Sequence, residues 1–244
     1  MNVLVCISNV PDTTTKITFT DNNTQFNTNG VQFILNPYDE IALARAIELT
    51  EGNGAVTVIS VGDVSTEPTI RKALAIGATD AVRINAKPHD AWFVAYQIAQ
   101  YVKTNPFDLI LTGRESIDYN GSKVAGMLGE LLDLPSVSII KKLDVLGDTA
   151  TVEREIEGGK EVLTIPFPFV AGTAEGVAEA KIPNMRGIMS SRTKPLTVVE
   201  PSAVKTFSEV ISYETPALRG QVTLVSADDT AKLVELLHVE ARVI

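Results

Sequence analysis

The chain has 244 residues, 45% of them hydrophobic and 21% charged, and its 30 Asp and Glu against 21 Lys and Arg give a formal net charge of -9. That length and composition suit one large or two small domains with a real core and exclude a disordered segment, while the acidic balance gives nucleic-acid phosphates nothing to hold. Cys6 has no partner for an internal disulfide, and with His89 and His238 as the only histidines there is no Cys/His cluster for zinc or an iron-sulfur centre, so redox chemistry would need a borrowed organic cofactor.

The N-terminus is apolar but has neither a basic leader nor a small-residue cleavage site, and no apolar run approaches the roughly 20 residues of a membrane span. A cytoplasmic protein without membrane insertion is expected. Val3–Ile7 reads as a strand buried on both faces, which makes burial the default role for Cys6. Residues 11–35 look like a β-excursion, and Asn36-Pro37-Tyr38-Asp39-Glu40 then opens a helix with Asn36 at the N-cap, Pro37 at N1 and two carboxylates at the positive end of the dipole.

Ala55–Val61, Ala81–Ile84 and Leu109–Leu111 continue the apolar strands. Between and after them Ile70, Ala73, Leu74 and Gly77, then Trp92, Ala95, Tyr96 and Ala99, then Val124, Met127, Leu128 and Leu131 fall at i, i+3, i+4, i+7 and predict helices with one core-facing stripe each. Short apolar strands separated by single helices need right-handed crossovers, which predicts an α/β fold: a parallel sheet with helices on both faces. Ser138–Val145, Thr151–Ile156 and Glu161–Ile165, separated by Gly147-Asp148 and Gly158-Gly159, predict an antiparallel extension of that sheet. Beyond Gly172 repeated prolines break the pattern, and a last short helix is expected over Asp228–His238. We therefore divide the chain into an α/β domain, residues 1–180, and an extended arm, residues 181–244, that would gain order by wrapping a partner.

Two segments carry candidate chemistry. Gly113-Arg114-Glu115-Ser116-Ile117-Asp118-Tyr119-Asn120-Gly121-Ser122-Lys123-Val124 leaves the carboxyl end of a strand and enters a helix, the edge where open α/β sheets bind ligands. Gly121 and Ser122 can present backbone N–H groups with Lys123 adding charge, an anion site in principle, and Asp118 could accept from ribose hydroxyls or brace the loop; an ordinary β-to-α turn fits as well. No Walker loop, Gly-x-Gly-x-x-Gly or Gly-x-Ser-x-Gly elbow is present. Between Lys181 and Val199, Lys181, Arg186, Arg192 and Lys194 meet no acidic residue, and Ile182, Met185, Ile188 and Met189 lie among them, which suits a docking strip with apolar anchors and charge steering, or a solvated loop.

Read together and in order, Val3-Leu4-Val5-Cys6 with Val10-Pro11-Asp12-Thr13, Asn36–Glu40, Arg71–Ala78, Asp108–Val124, Val152–Ile156 and Ile182–Leu196 resemble the beta subunit of electron-transfer flavoprotein. The resemblance implies a Rossmann-like sheet of the adenine nucleotide alpha hydrolase type. It also implies an electron carrier rather than a stand-alone enzyme: a heterodimer whose alpha subunit mainly holds one redox-active FAD. Electrons would pass from flavin dehydrogenases, such as those of fatty acid beta-oxidation, to a quinone oxidoreductase or another acceptor.

On matching positions, the resemblance implies a nucleotide site at Cys6, Asn36, Pro37, Tyr38, Asp39, Val61 and Gly113–Val124, with Thr13 approaching the flavin held by alpha. Met185, Arg186, Ile188, Met189, Arg192 and Lys194 coincide with the family's dehydrogenase-recognition loop. Members that bifurcate electrons hold a second FAD and show Asp-Gly-Asp-Thr-Ala-Gln-Val where this chain has Asp118-Tyr119-Asn120-Gly121-Ser122-Lys123-Val124, which favours AMP as a structural ligand over a second FAD. The rival from another class is a nucleotide-binding regulator like the universal stress proteins, whose Gly-x-x-Gly phosphate pattern is broken here after Gly113.

Overall fold

The computed structural model describes residues 1–51, 53–217 and 220–244. In chain order the strands and helices are β1 (Asn2–Cys6), β2 (Asn9–Pro11), β3 (Phe19–Thr20), β4 (Gln25–Phe26), β5 (Phe33–Leu35), α1 (Pro37–Thr50), β6 (Ala55–Val61), α2 (Glu67–Ile76), β7 (Asp80–Ile84), α3 (Ala91–Thr104), β8 (Leu109–Gly113) and α4 (Val124–Leu132). They continue with β9 (Ser136–Leu146), β10 (Thr149–Ile156), β11 (Gly159–Pro166), β12 (Phe169–Thr173), α5 (Met185–Ser191), β13 (Leu196–Val199) and α6 (Thr230–Glu235).

The apolar strands assemble as expected into an α/β fold. One sheet runs β11-β10-β9-β12-β8-β1-β6-β7-β13 and is parallel from β9 through β13, while β10 and β11 add antiparallel to β9. The predicted turns fall at Gly147 and Gly158, whose φ of +63° and +82° are conformations glycine adopts without steric cost. α1 and α2 bury Leu43, Ala46, Ile70 and Leu74 on one face of the sheet; α3 and α4 bury Ile98, Ala99, Ala125 and Leu128 on the other. Chain order departs in opposite directions from β1, to β6 on one side and to β8 on the other, so the crevice beyond the carboxyl ends of β1 and β8 is the topological switch point.

The β-excursion is smaller than the sequence suggests. β2 pairs with β5, and β3 with β4 through a turn at Asp21-Asn22-Asn23, all three with positive φ, which Asn and Asp tolerate best among non-glycine residues. In α3 the core stripe is Ala95, Ile98, Ala99 and Val102; Trp92 and Tyr96 lie to one side, and the edge of Trp92 meets Phe207 at 5.5 Å.

The composition of residues 181–244 also conceals structure. α5 packs on α2 so closely that a Cβ at Gly187 would stand 2.2 Å from the Ala75 carbonyl oxygen, and Leu196–Val199 joins the sheet beside β7. The next stretch is pinned to α3: Gln97 exchanges two hydrogen bonds with the Ser202 backbone, and the Asp90 carboxylate accepts from the Phe207 and Ser208 N–H groups. Residues 181–208 are thus tied to the α/β domain, and the described residues from 209 onward form the mostly exposed part of the arm. Within it α6 and the helical turn Leu236–Ala241 bury no residue, and Leu233, Val234 and Val239 face outward.

Candidate functional site

At the switch point, Asn36 and Asp39 both sit at the start of α1 and both face inward. Asn36 is fully buried and holds the N-cap position ahead of Pro37, but its side chain does not cap the helix. Its amide donates to the Glu115 carbonyl at 2.9 Å, and its Oδ1 accepts from the Ile117 N–H at 3.2 Å. One side chain thus clamps the β8–α4 loop to α1. α1 forgoes a side-chain cap and keeps Pro37, whose missing N–H needs none, and the acidic first turn of Asp39 and Glu40.

The Asp39 carboxylate accepts from the Ser8 N–H at 2.7 Å and from the Gly113 N–H at 3.0 Å, tying together the carboxyl ends of β1 and β8. Burial pushes its pKa up to about 7, against the opposing pull of the neighbouring Asn36 amide and of the hydrogen bonds from Ser8 and Gly113. Close approach explains Gly113: a Cβ there would lie 2.3 Å from Asp39 Oδ1 and 2.7 Å from the Tyr38 Cβ. Cys6, buried at the end of β1, keeps its proton firmly because of desolvation and the Asp39 field. It is a packing thiol, as the apolar strand implied.

The loop itself folds around Glu115. The Glu115 Oε2 accepts from Ser122 Oγ at 2.9 Å, Asn120 Nδ2 lies 3.4 Å from Oε1, and Arg114 Nη2 lies 3.3 Å from the same oxygen. Asn120 and Ser122 both take φ of +50°, and Asn120 N–H donates to the Ser116 carbonyl. The Arg114 guanidinium stands 5.3 Å over the Tyr38 ring, its Nε is buried without a hydrogen-bond partner among the described residues, and its backbone N–H donates to the Thr173 carbonyl. Asp118, Tyr119, Gly121, Ser122 and Lys123 are exposed. The N-terminus of α4 carries no side-chain cap, and its first backbone bond runs from Met127 N–H to the Lys123 carbonyl, so the N–H groups of Val124, Ala125 and Gly126 precede the ladder.

Val61 is buried at the end of β6, and Thr13 is exposed in the turn closed by Thr15 N–H and the Asp12 carbonyl. Neither joins the hydrogen-bonded group around Asn36 and Asp39. Residues the sequence did not single out include Ser8, Thr173, Glu175, whose carboxylate faces the Tyr38 hydroxyl, and Tyr213. The Tyr213 ring stacks on Phe19 at 4.8 Å, its N–H donates to the Asn23 carbonyl, and its hydroxyl faces Tyr119.

On the opposite edge, α5 starts at Asn184, whose side chain accepts from Gly187 N–H. Met185, Arg186, Met189 and Arg192 are exposed, and so is Ile188 at 40%. Lys194 differs: its ammonium donates to the Leu74 carbonyl at 2.8 Å and the Ala78 carbonyl at 2.5 Å, closing the C-terminal end of α2. Its charge stabilises the fold and is not free for docking. Arg71 braces the same junction through the Ser191 and Lys194 carbonyls.

The family described as Electron transfer flavoprotein domain matches residues 23–204. Among curated relatives, electron transfer flavoprotein subunit beta from Bacillus subtilis is 34% identical, with both chains covered completely. The human subunit beta is 32% identical over 97% of this chain and 98% of its own, and that of Syntrophomonas wolfei is 31% identical over 90% and 88%. With the match running across both the switch-point loops and the α5 strip, the chain belongs to the electron transfer flavoprotein family, as a beta-subunit member.

Proposed function

We propose that this chain is the nucleotide-bracing half of a heterodimeric electron carrier. It pairs with an alpha subunit that mainly holds the redox-active FAD, and binds AMP at its own switch point as a structural ligand. The bound flavin supplies the redox chemistry, taking electrons from flavin dehydrogenases and passing them to a quinone oxidoreductase or another acceptor. This chain contributes shape and surfaces: Asp39 spends both oxygens on backbone N–H groups, and Cys6 is buried and protonated.

The observation that carries the nucleotide reading is the Asn36–Asp39 clamp, which fixes the ends of β1 and β8 and the following loop relative to one another. The residues fit a monophosphate. The uncapped α4 N-terminus and Lys123 offer donors and charge, and a Cβ at Gly121 would meet nothing within 4 Å, which leaves room for a ligand to approach. The docking reading rests on Met185 and Met189, adaptable apolar side chains that are 74% and 70% exposed, beside Arg186 and Arg192. Denaturing the purified heterodimer and identifying its released nucleotides by mass tests the whole proposal. One AMP and one FAD per heterodimer is expected; two FAD would assign the bifurcating arrangement, and a chain that binds ATP without any alpha subunit would assign the regulator.

A further inference from the structure

The loop proposed to receive a nucleotide phosphate already encloses a carboxylate. The Glu115 side chain is only 11% exposed, and it engages the loop's neutral donors, Ser122 Oγ at 2.9 Å and Asn120 Nδ2 at 3.4 Å. The main chain cannot carry it aside, because Asn36 holds the Glu115 carbonyl and the Ile117 N–H from buried positions. Ser122 has one hydroxyl proton to donate. A phosphate that takes it must displace Glu115, and a phosphate that leaves it in place stands beside a carboxylate. The other charges nearby do not remove the conflict: over residues 113–124 Arg114 and Lys123 only equal Glu115 and Asp118 in number, Arg114 is already paired with Glu115 at 3.3 Å, and Glu175, which faces Tyr38, adds another carboxylate beside it.

We propose that Glu115 is the specificity-determining residue of this site: it admits a nucleoside monophosphate and penalises each added phosphate, discriminating against nucleoside di- and triphosphates and against pyrophosphate-linked dinucleotides. The inference rests on the reading of this loop as a nucleotide site. A further unit charge within about 10 Å of a carboxylate, in an effective dielectric near 20, lowers affinity by about tenfold or more.

The test uses the complex with its alpha subunit, freed of its beta-subunit nucleotide and titrated with AMP, ADP and ATP in the presence of EDTA. Glu115→Gln keeps an acceptor for Ser122 and removes the charge. In the unaltered protein affinity falls from AMP to ADP to ATP; in the variant the AMP-to-ADP ratio narrows by about tenfold and the AMP-to-ATP ratio by more than that. The same ratio in both proteins overturns the role of Glu115 while leaving the site in place. Absence of binding by all three nucleotides to the unaltered protein overturns the site itself, and this proposal with it. Salt gives a reading that needs no variant: screening raises ATP affinity relative to AMP if a carboxylate is responsible, and a constant or falling relative affinity contradicts it.

Discussion

Asn36→Ala is the most informative single perturbation of the site, because it removes the clamp and leaves the helix that carries it. The side chain is fully buried, it makes no capping bond to α1, and its two hydrogen bonds both end on the β8–α4 loop. Truncation leaves the Glu115 carbonyl and the Ile117 N–H without their partner. A fully buried orphan costs about 1–3 kcal/mol, but Glu115 and Ile117 are half-buried and water partly replaces the amide, so the pair should cost about 2 kcal/mol in all. Urea unfolding of the purified protein should show a lower midpoint at unchanged slope, since no extra surface is exposed in the native state. The nucleotide proposed at this edge should dissociate faster, because the loop loses its register relative to β1. Stability within about 0.5 kcal/mol of the unaltered protein, together with unchanged nucleotide retention, would refute the view that Asn36 orders the loop.

Asp39 should write a pH dependence into stability. Its folded pKa, raised by burial from 3.8 to about 7, means that the native state binds the proton more tightly, so its contribution is fully present below about pH 4 and is lost as pH rises towards 7. Asp39→Asn should flatten the unfolding free energy over that window relative to the unaltered protein; parallel pH profiles would contradict it. Lys194→Met removes two charge-assisted bonds at the end of α2 and should cost about 1–3 kcal/mol in thermal unfolding, a loss that a mere surface lysine would not produce. Met185→Ala should slow electron acceptance from a partner dehydrogenase at limiting protein, through a loss of about 1–3 kcal/mol in association, while flavin content stays constant. Unaltered transfer kinetics would remove Met185 as the anchor.

The parallel sheet was legible because β1, β6, β7 and β8 are short runs of Val, Leu and Ile between helices, a pattern that only two-sided burial explains. β13 was hidden: four residues between Pro195 and Pro201 read as extended tail, and only the free edge of β7 makes them a strand. Trp92 misled in a related way, since a large apolar residue at core spacing is a core residue unless another segment arrives to cover it, as Phe207 does. In the site, the loops were legible from strand-helix order, but not the direction of their side chains. An asparagine before Pro37 fits an N-cap equally well whether its amide turns to the helix or to a loop far along the chain. The same holds for Lys194, which composition groups with Arg186 and Arg192 and which packing assigns to α2. No local signal announces that Tyr213 returns to stack on Phe19.

The central claim is that this subunit braces a redox centre held by its partner and keeps a non-redox adenylate in its own fold. Quantifying FAD and AMP per heterodimer after denaturation tests it most directly. The account predicts one of each, with the FAD remaining with alpha when the subunits are separated. Two FAD per heterodimer, or a flavin that stays with this chain alone, would contradict it.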